Sequence, residues 1–162
     1  MTATSPLCAL QSIWQETAEL ADQAVGIGID LVEVGPLLRL VAVGGQSFVD
    51  AAWTPREQRE ANAQAEGLAG KWAAKEAVMK VLQRGIGDLD PRDVEIITDS
   101  SGAPRVELHR GARAMASRRR ITTWHVSLTH DGGWAAAIAI ASSLSMTVVD
   151  TAITAYEGRN RG

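Results

Sequence analysis

The sequence predicts an α+β domain, a mainly antiparallel sheet packed on one long helix. Three observations carry that reading. Apolar segments flank Asp131-Gly132-Gly133, and another pair flanks Asp99-Ser100-Ser101-Gly102; both arrangements are hairpin signals. Between them and an isolated apolar strand near the start lies an alanine-rich stretch at roughly 67–83, long enough to pack as a helix. Hairpin-linked strands beside such a helix make an α+β domain.

Taken in order, residues 1–24 form an N-terminal extension, in which Ile13, Trp14, Thr17, Leu20 and Ala21 share one face of a short, weakly capped helix. The domain spans 25–141. Its first strand, 25–34, is apolar on both faces and reads as buried. Residues 42–55 read as a connection containing Gly44-Gly45. Thr54-Pro55-Arg56-Glu57 then starts a helix, with Thr54 as N-cap, proline at the first position and Glu57 closing a capping box. That helix runs to about Asn62, and the long one follows over 67–83 until Gly85-Ile86-Gly87 stops it. Strands at 94–98 and 105–109 form the first hairpin, 111–120 a short basic helix, and strands at 123–130 and 134–141 the second hairpin. Residues 142–162 are a C-terminal tail whose 146–154 portion reads as a strand or a helix.

Composition narrows the function classes. With 162 residues there is material for one domain with a real core. The net charge of −3 argues against general nucleic-acid binding, so any polyanion site must come from local clustering. One cysteine, Cys8, excludes an internal disulfide and a cysteine-rich zinc site, and fits a reducing, cytoplasmic setting. The start lacks the pattern of a signal peptide. The longest apolar run, Trp134 to Ala141, is too short to span a bilayer, so no membrane partner is expected.

Three constellations carry chemistry. Gly26-Ile27-Gly28-Ile29-Asp30 is not a dinucleotide fingerprint, because Leu31 replaces the third glycine and the acid follows at once instead of about 20 residues later. Strand alternation puts both glycines and Asp30 on one face, leaving room for a ligand or a packed helix; Asp30 reads equally as a turn or capping residue. On the long helix, Trp72, Glu76 and Lys80 share a stripe with Lys75 and Met79 beside it. An ordinary Glu76–Lys80 pair explains two of these residues. Glu76 as a metal ligand, with Lys71, Lys75 and Lys80 as phosphate contacts, explains more, since magnesium needs only one or two carboxylates. On the last hairpin, His125, Ser127 and Thr129 share one strand face and His130 stands on the other.

Read in series, Gly26-Ile27-Gly28-Ile29-Asp30-Leu31-Val32-Glu33, Phe48 with Trp53-Thr54-Pro55-Arg56-Glu57, Leu68-Ala69-Gly70-Lys71-Trp72-Ala73-Ala74-Lys75-Glu76-Ala77 and His125-Val126-Ser127-Leu128-Thr129-His130 resemble the holo-acyl-carrier-protein synthase family of 4′-phosphopantetheinyl transferases. The resemblance implies that family's α+β fold. It also implies transfer of the phosphopantetheine arm of coenzyme A to a serine of an acyl carrier protein, with magnesium, in a homotrimer binding coenzyme A at subunit boundaries. By position, Asp30 and Glu76 resemble the metal ligands, and Lys80 the lysine that contacts the pyrophosphate. Glu76 is also the candidate proton acceptor. Lys71, Lys75, His125 and His130 lie where the family contacts coenzyme A phosphates or their surroundings, and Gly85 and Gly87 beside the adenine. Lys71 stands where the family commonly has arginine, Ala51-Ala52 replace another arginine, and Gly35-Pro36 occupy the helix start that often presents an arginine to the acidic carrier protein. Arg39, Arg56, Arg59 and Arg118-Arg119-Arg120 are the alternative docking contacts. The competing reading is a non-catalytic module that binds coenzyme A or a carrier protein.

Overall fold

The computed structural model describes residues 24–62 and 64–143; the expected helix before residue 24 and the 146–154 element lie outside them. Five strands and four helices run in the order β1 (Ala24–Glu33), α1 (Val34–Ala52), α2 (Pro55–Ala61), α3 (Ala65–Val81), β2 (Val94–Thr98), β3 (Pro104–Leu108), α4 (Arg110–Arg118), β4 (Thr123–Asp131) and β5 (Trp134–Ser142), with a 3-10 turn at Pro91–Asp93. All strand pairs are antiparallel. They form two sheets where one was expected: β1-β5-β4, and the separate β2-β3 hairpin.

The first strand packs on α3 because it carries no side chain where the helix passes. A Cβ added at Gly28 would stand 2.0 Å from the Ala77 carbonyl oxygen, and one at Gly26 3.1 Å from Val81 Cγ1. On β5, Ala135, Ala137, Ala139 and Ala141 complete this shallow bed and are buried. Close approach replaces bulky interdigitation, so the sequence of α3 itself is rich in alanine. The opposite face of the same sheet carries Ile27, Ile29, Leu31, Trp134 and Ile138, all exposed.

Where a connection was expected at 42–55, the chain continues as α1. Glycine at 44 and 45 concealed an apolar pattern in which Val34, Leu37, Val41, Phe48, Val49 and Ala52 contribute to one core cluster. The helix kinks at Gly45 (φ 57°, ψ −154°), a left-handed conformation that glycine adopts at little cost. The α2 start is as the sequence specifies: Thr54 accepts from the Glu57 amide while the Glu57 side chain accepts from the Thr54 amide. Helix α3 begins and ends two residues earlier than expected. It stops before the glycines because Gln83 already takes a left-handed φ of 56°.

Candidate active site

Helix α3 is enclosed by the sheet, the β2-β3 hairpin, α1 and α2. From Lys71 to Lys80 every residue is buried except Trp72, Glu76 and Lys80. These three recur every four residues, so along this stretch of the helix one stripe meets solvent. Asp30 reaches the same stripe from β1. Its register partner on β5 is Ala137, so it shares the inward face with Gly26 and Gly28. Lys80 Nζ donates to Asp30 Oδ1 at 2.7 Å and to the Ile29 carbonyl at 2.8 Å, tying strand to helix across fifty residues of sequence.

Glu76 is the chemically unusual member. Burial, and then the charge of Asp30, push its carboxyl above the usual carboxylate range, while a hydrogen bond from Trp72 and the charge of Lys80 pull it down. The Trp72 contact was not assigned a role from sequence; its signal was the four-residue spacing to Glu76. Two neighbouring carboxylates beside an ammonium that is half exposed suit a divalent cation with an anionic ligand. Another acidic group, Glu95, Glu107 and His109, has oxygen and nitrogen atoms within 4.8 Å of one another, but its members already meet His109, Thr54 and Arg56.

The remaining expected residues divide. Lys75 does not join the site: it is fully buried, with Nζ 2.8 Å from Glu57 and bonded to the Pro91 and Val94 carbonyls. The phosphate contact expected of it is corrected to a core ion pair. Burial depresses the ammonium's proton affinity, and Glu57 opposes that shift. Lys71 is likewise held inward, by Glu60 at 2.9 Å and the Ile96 carbonyl, but it also lines a cleft of about 170 Å³ with His130, Gln64, Glu66 and Leu128. That cleft lies away from Lys80. Nine positions at about 100° each put Lys71 and Lys80 on opposite sides of α3. His125 is exposed on the outer face of β4, opposite Ile140, and is not brought to either place. Gly85 and Gly87 lie in the exposed loop after α3, Gly87 with φ 102°.

Residues 26–139 match the family model of the 4′-phosphopantetheinyl transferase superfamily. This chain belongs to that superfamily. A holo-[acyl-carrier-protein] synthase of Alkaliphilus oremlandii is 40% identical over 119 residues, covering 72% of this chain and 97% of the relative. One from Mycobacterium ulcerans is 42% identical over 127 residues, covering 72% and 95%. Among solved structures, the Helicobacter pylori holo-[acyl-carrier-protein] synthase in complex with coenzyme A superposes with a TM-score of 0.67 at 30% identity, over 72% of this chain and all of that one. The Mycobacterium tuberculosis acyl carrier protein synthase gives 0.57 at 38% identity, over 75% of this chain and 99% of that one.

Proposed function

We propose that this protein transfers the 4′-phosphopantetheine arm of coenzyme A to a serine of an acyl carrier protein, releasing adenosine 3′,5′-bisphosphate. The observation that carries the reading is the convergence of Asp30, Glu76 and Lys80 on the solvent-facing stripe of the 71–80 stretch of α3. The names of its relatives, and coenzyme A in the Helicobacter structure, support it.

Asp30 and Glu76 fit magnesium, because both are hard oxygen donors and their mutual repulsion is what a cation would relieve. Bound there, the ion would supply charge neutralisation for the phosphate oxygens. The chain's own groups do the rest. Glu76 accepts the serine proton as the hydroxyl oxygen attacks the phosphorus bearing the pantetheine arm. A serine O–P bond forms, the anhydride P–O bond breaks, and the electron pair leaves on the bisphosphate. Lys80 offsets that departing charge. Trp72 orients the Glu76 carboxylate through its hydrogen bond.

His130 and Lys71 face a cleft on the far side of α3, and a single coenzyme A cannot readily serve both sides of one buried helix. In a homotrimer, the Lys71–His130 cleft of one subunit completes the Asp30–Glu76–Lys80 site of the next, with Gly85 and Gly87 beside the nucleotide. The exposed apolar sheet face supplies the surface for such self-association. No described helix is long and apolar enough to cross a membrane, and the reaction belongs in the cytoplasm with its carrier protein.

Mass spectrometry of an acyl carrier protein incubated with coenzyme A, magnesium and this protein should show the added phosphopantetheine. Glu76→Gln should lower the transfer rate at least about 100-fold while circular dichroism stays native. A carrier protein that binds but gains no mass would make the chain a non-catalytic module instead.

A further inference from the structure

The described chain begins and ends at one edge of the sheet, where Ala24 and Ser142 are register partners across β1 and β5. Gly28 lies against Ala77 and Gly26 against Val81, so β1 runs antiparallel along α3 and its first residues reach the helix's C-terminal end. A Cβ at Gly26 would stand 3.7 Å from the Val81 carbonyl oxygen, and that same oxygen accepts a hydrogen bond from Arg119. The next residue, Leu82, lines a cleft of about 280 Å³ with Gln83, Arg84, Met115, Arg118 and Arg119. The segment that precedes Ala24 therefore joins the fold at the rim of this cleft. Two residues past Lys80, at about 100° each, Leu82 faces away from the Asp30–Glu76–Lys80 site.

Three guanidinium groups surround the apolar lining of Leu82 and Met115. Arg84 donates to the Gln83 carbonyl, Arg118 to that of Ala114 and Arg119 to that of Val81. These acceptors lie at or just past the C-terminal ends of α3 and α4, where cations are favoured. Each bond uses one of five N–H donors on its group. Lacking a carboxylate is not special to these arginines, since Arg39, Arg59 and Arg113 also have none among the described residues. What sets the cleft apart is the part of the chain that enters beside it.

Residues 1–23 contain Glu16, Glu19 and Asp22 and no lysine or arginine, so the chain's whole net charge of −3 resides there. Residues 144–162 leave from the same edge, but they balance Asp150 and Glu157 with Arg159 and Arg161. Charge complementarity favours the N-terminal segment. Reach agrees with charge. An extended chain spans at most about 3.5 Å per residue, which keeps Asp22 within about 7 Å of Ala24 and Glu19 within about 18 Å. Leu20 falls between these two acids, as an apolar group that the cleft lining can cover. The segment lies ahead of the region matched to the family, which begins at residue 26.

We infer that the cleft between α3 and α4 is the docking site of the chain's own N-terminal segment. Glu19 and Asp22 pair with Arg84, Arg118 and Arg119, and Leu20 seats on Leu82 and Met115. The contact latches the start of β1 to the end of α3 that is remote from the active site, and it does not depend on the transfer reading.

Hydrogen–deuterium exchange of the full chain, read by mass spectrometry, tests this. The amides of residues 16–22 should be protected in the wild type, and Glu19→Lys with Asp22→Lys should speed their exchange about 5-fold or more. High salt should speed exchange of the same peptide in the wild type and have little effect on the lysine variant. Adding Arg84→Glu and Arg118→Glu to the lysine variant reverses both sides of the contact and should restore protection; a folded fourfold variant without it overturns the inference. Equal exchange of residues 16–22 in wild type and lysine variant overturns it too. So does protection that Arg84→Glu with Arg118→Glu removes from residues 144–162 instead, which gives the cleft to the tail. Protection that vanishes on dilution gives it to a second copy and is equally fatal. If the arginine substitutions lower the thermal midpoint, the comparison of wild type with the lysine variant decides alone, because both of its substitutions lie outside the folded domain.

Discussion

At Gly28, one missing methyl group sets how closely β1 can lie against α3, and therefore whether Asp30 can reach Lys80. The nearest atom to an added Cβ is backbone, the Ala77 carbonyl oxygen, which cannot swing aside as a side chain would. Gly28→Ala should therefore destabilise the fold by about 1–3 kcal/mol or more, through overpacking. Urea unfolding monitored by tryptophan fluorescence measures it, and the same variant should lose activity because the strand carrying Asp30 is displaced. A midpoint equal to wild type would show that the contact is not close in solution. This glycine was legible in the sequence as a place where something must fit on the face shared with Asp30. What fits, the backbone of α3, was not legible, because alternation within one strand does not say what packs on it.

At the scale of elements, α3 shows the limit of reading charge from a helical wheel. Its stripe of Trp72, Glu76 and Lys80 followed from spacing alone. The fates of Lys71 and Lys75 did not, since a lysine is as readily a phosphate contact as a buried cation until the partner carboxylate is known. That partner, Glu57, is on α2, and its sequence signature is spent on the capping box. The same carboxylate also accepts from the Ile96 amide, so one residue ties α2, α3 and β2 together. Lys75→Met removes one charge of a pair in which neither member is exposed, leaving Glu57 uncompensated. It should cost about 3–5 kcal/mol of stability. If Lys75 contacts no phosphate, the folded fraction of Lys75→Met should keep the wild-type Michaelis constant for coenzyme A. A constant raised several-fold in well-folded protein would return Lys75 to the site. Helix α1 illustrates the opposite failure. Two adjacent glycines read as a break, but burial of Phe48 and Val49 against Trp53 and Trp72 outweighs their poor helix propensity.

For the whole molecule, the sheet that beds α3 on one face is apolar on the other as well. Cross-strand rows there join Ile27 to Ile140 and His125, and Ile29 to Ile138 and Ser127. Ile27, Ile29 and Leu31 are each at least 60% exposed in a single subunit, which is costly in water and gathers into one patch. The sequence presented these residues as a buried strand; the structure corrects that, covering only the Gly26–Gly28–Asp30 face with α3 and leaving this one exposed. The proposed self-association about a threefold axis would cover this patch, since a closed ring of identical contacts buries the same face in every copy. Ile27→Glu with Ile138→Glu places like charges in neighbouring strands of that patch. Both positions are already solvent-facing in the subunit, so folding should be nearly unaffected. Sedimentation equilibrium should then report the subunit mass where the wild type gives three times that value. Transfer should fall with it, because Lys71 and His130 would no longer stand opposite Lys80 of a neighbour. Wild type sedimenting as a single subunit would refute the trimer. A monomeric variant with full activity would instead confine the whole site to one side of α3, leaving the Lys71–His130 cleft without a part in catalysis.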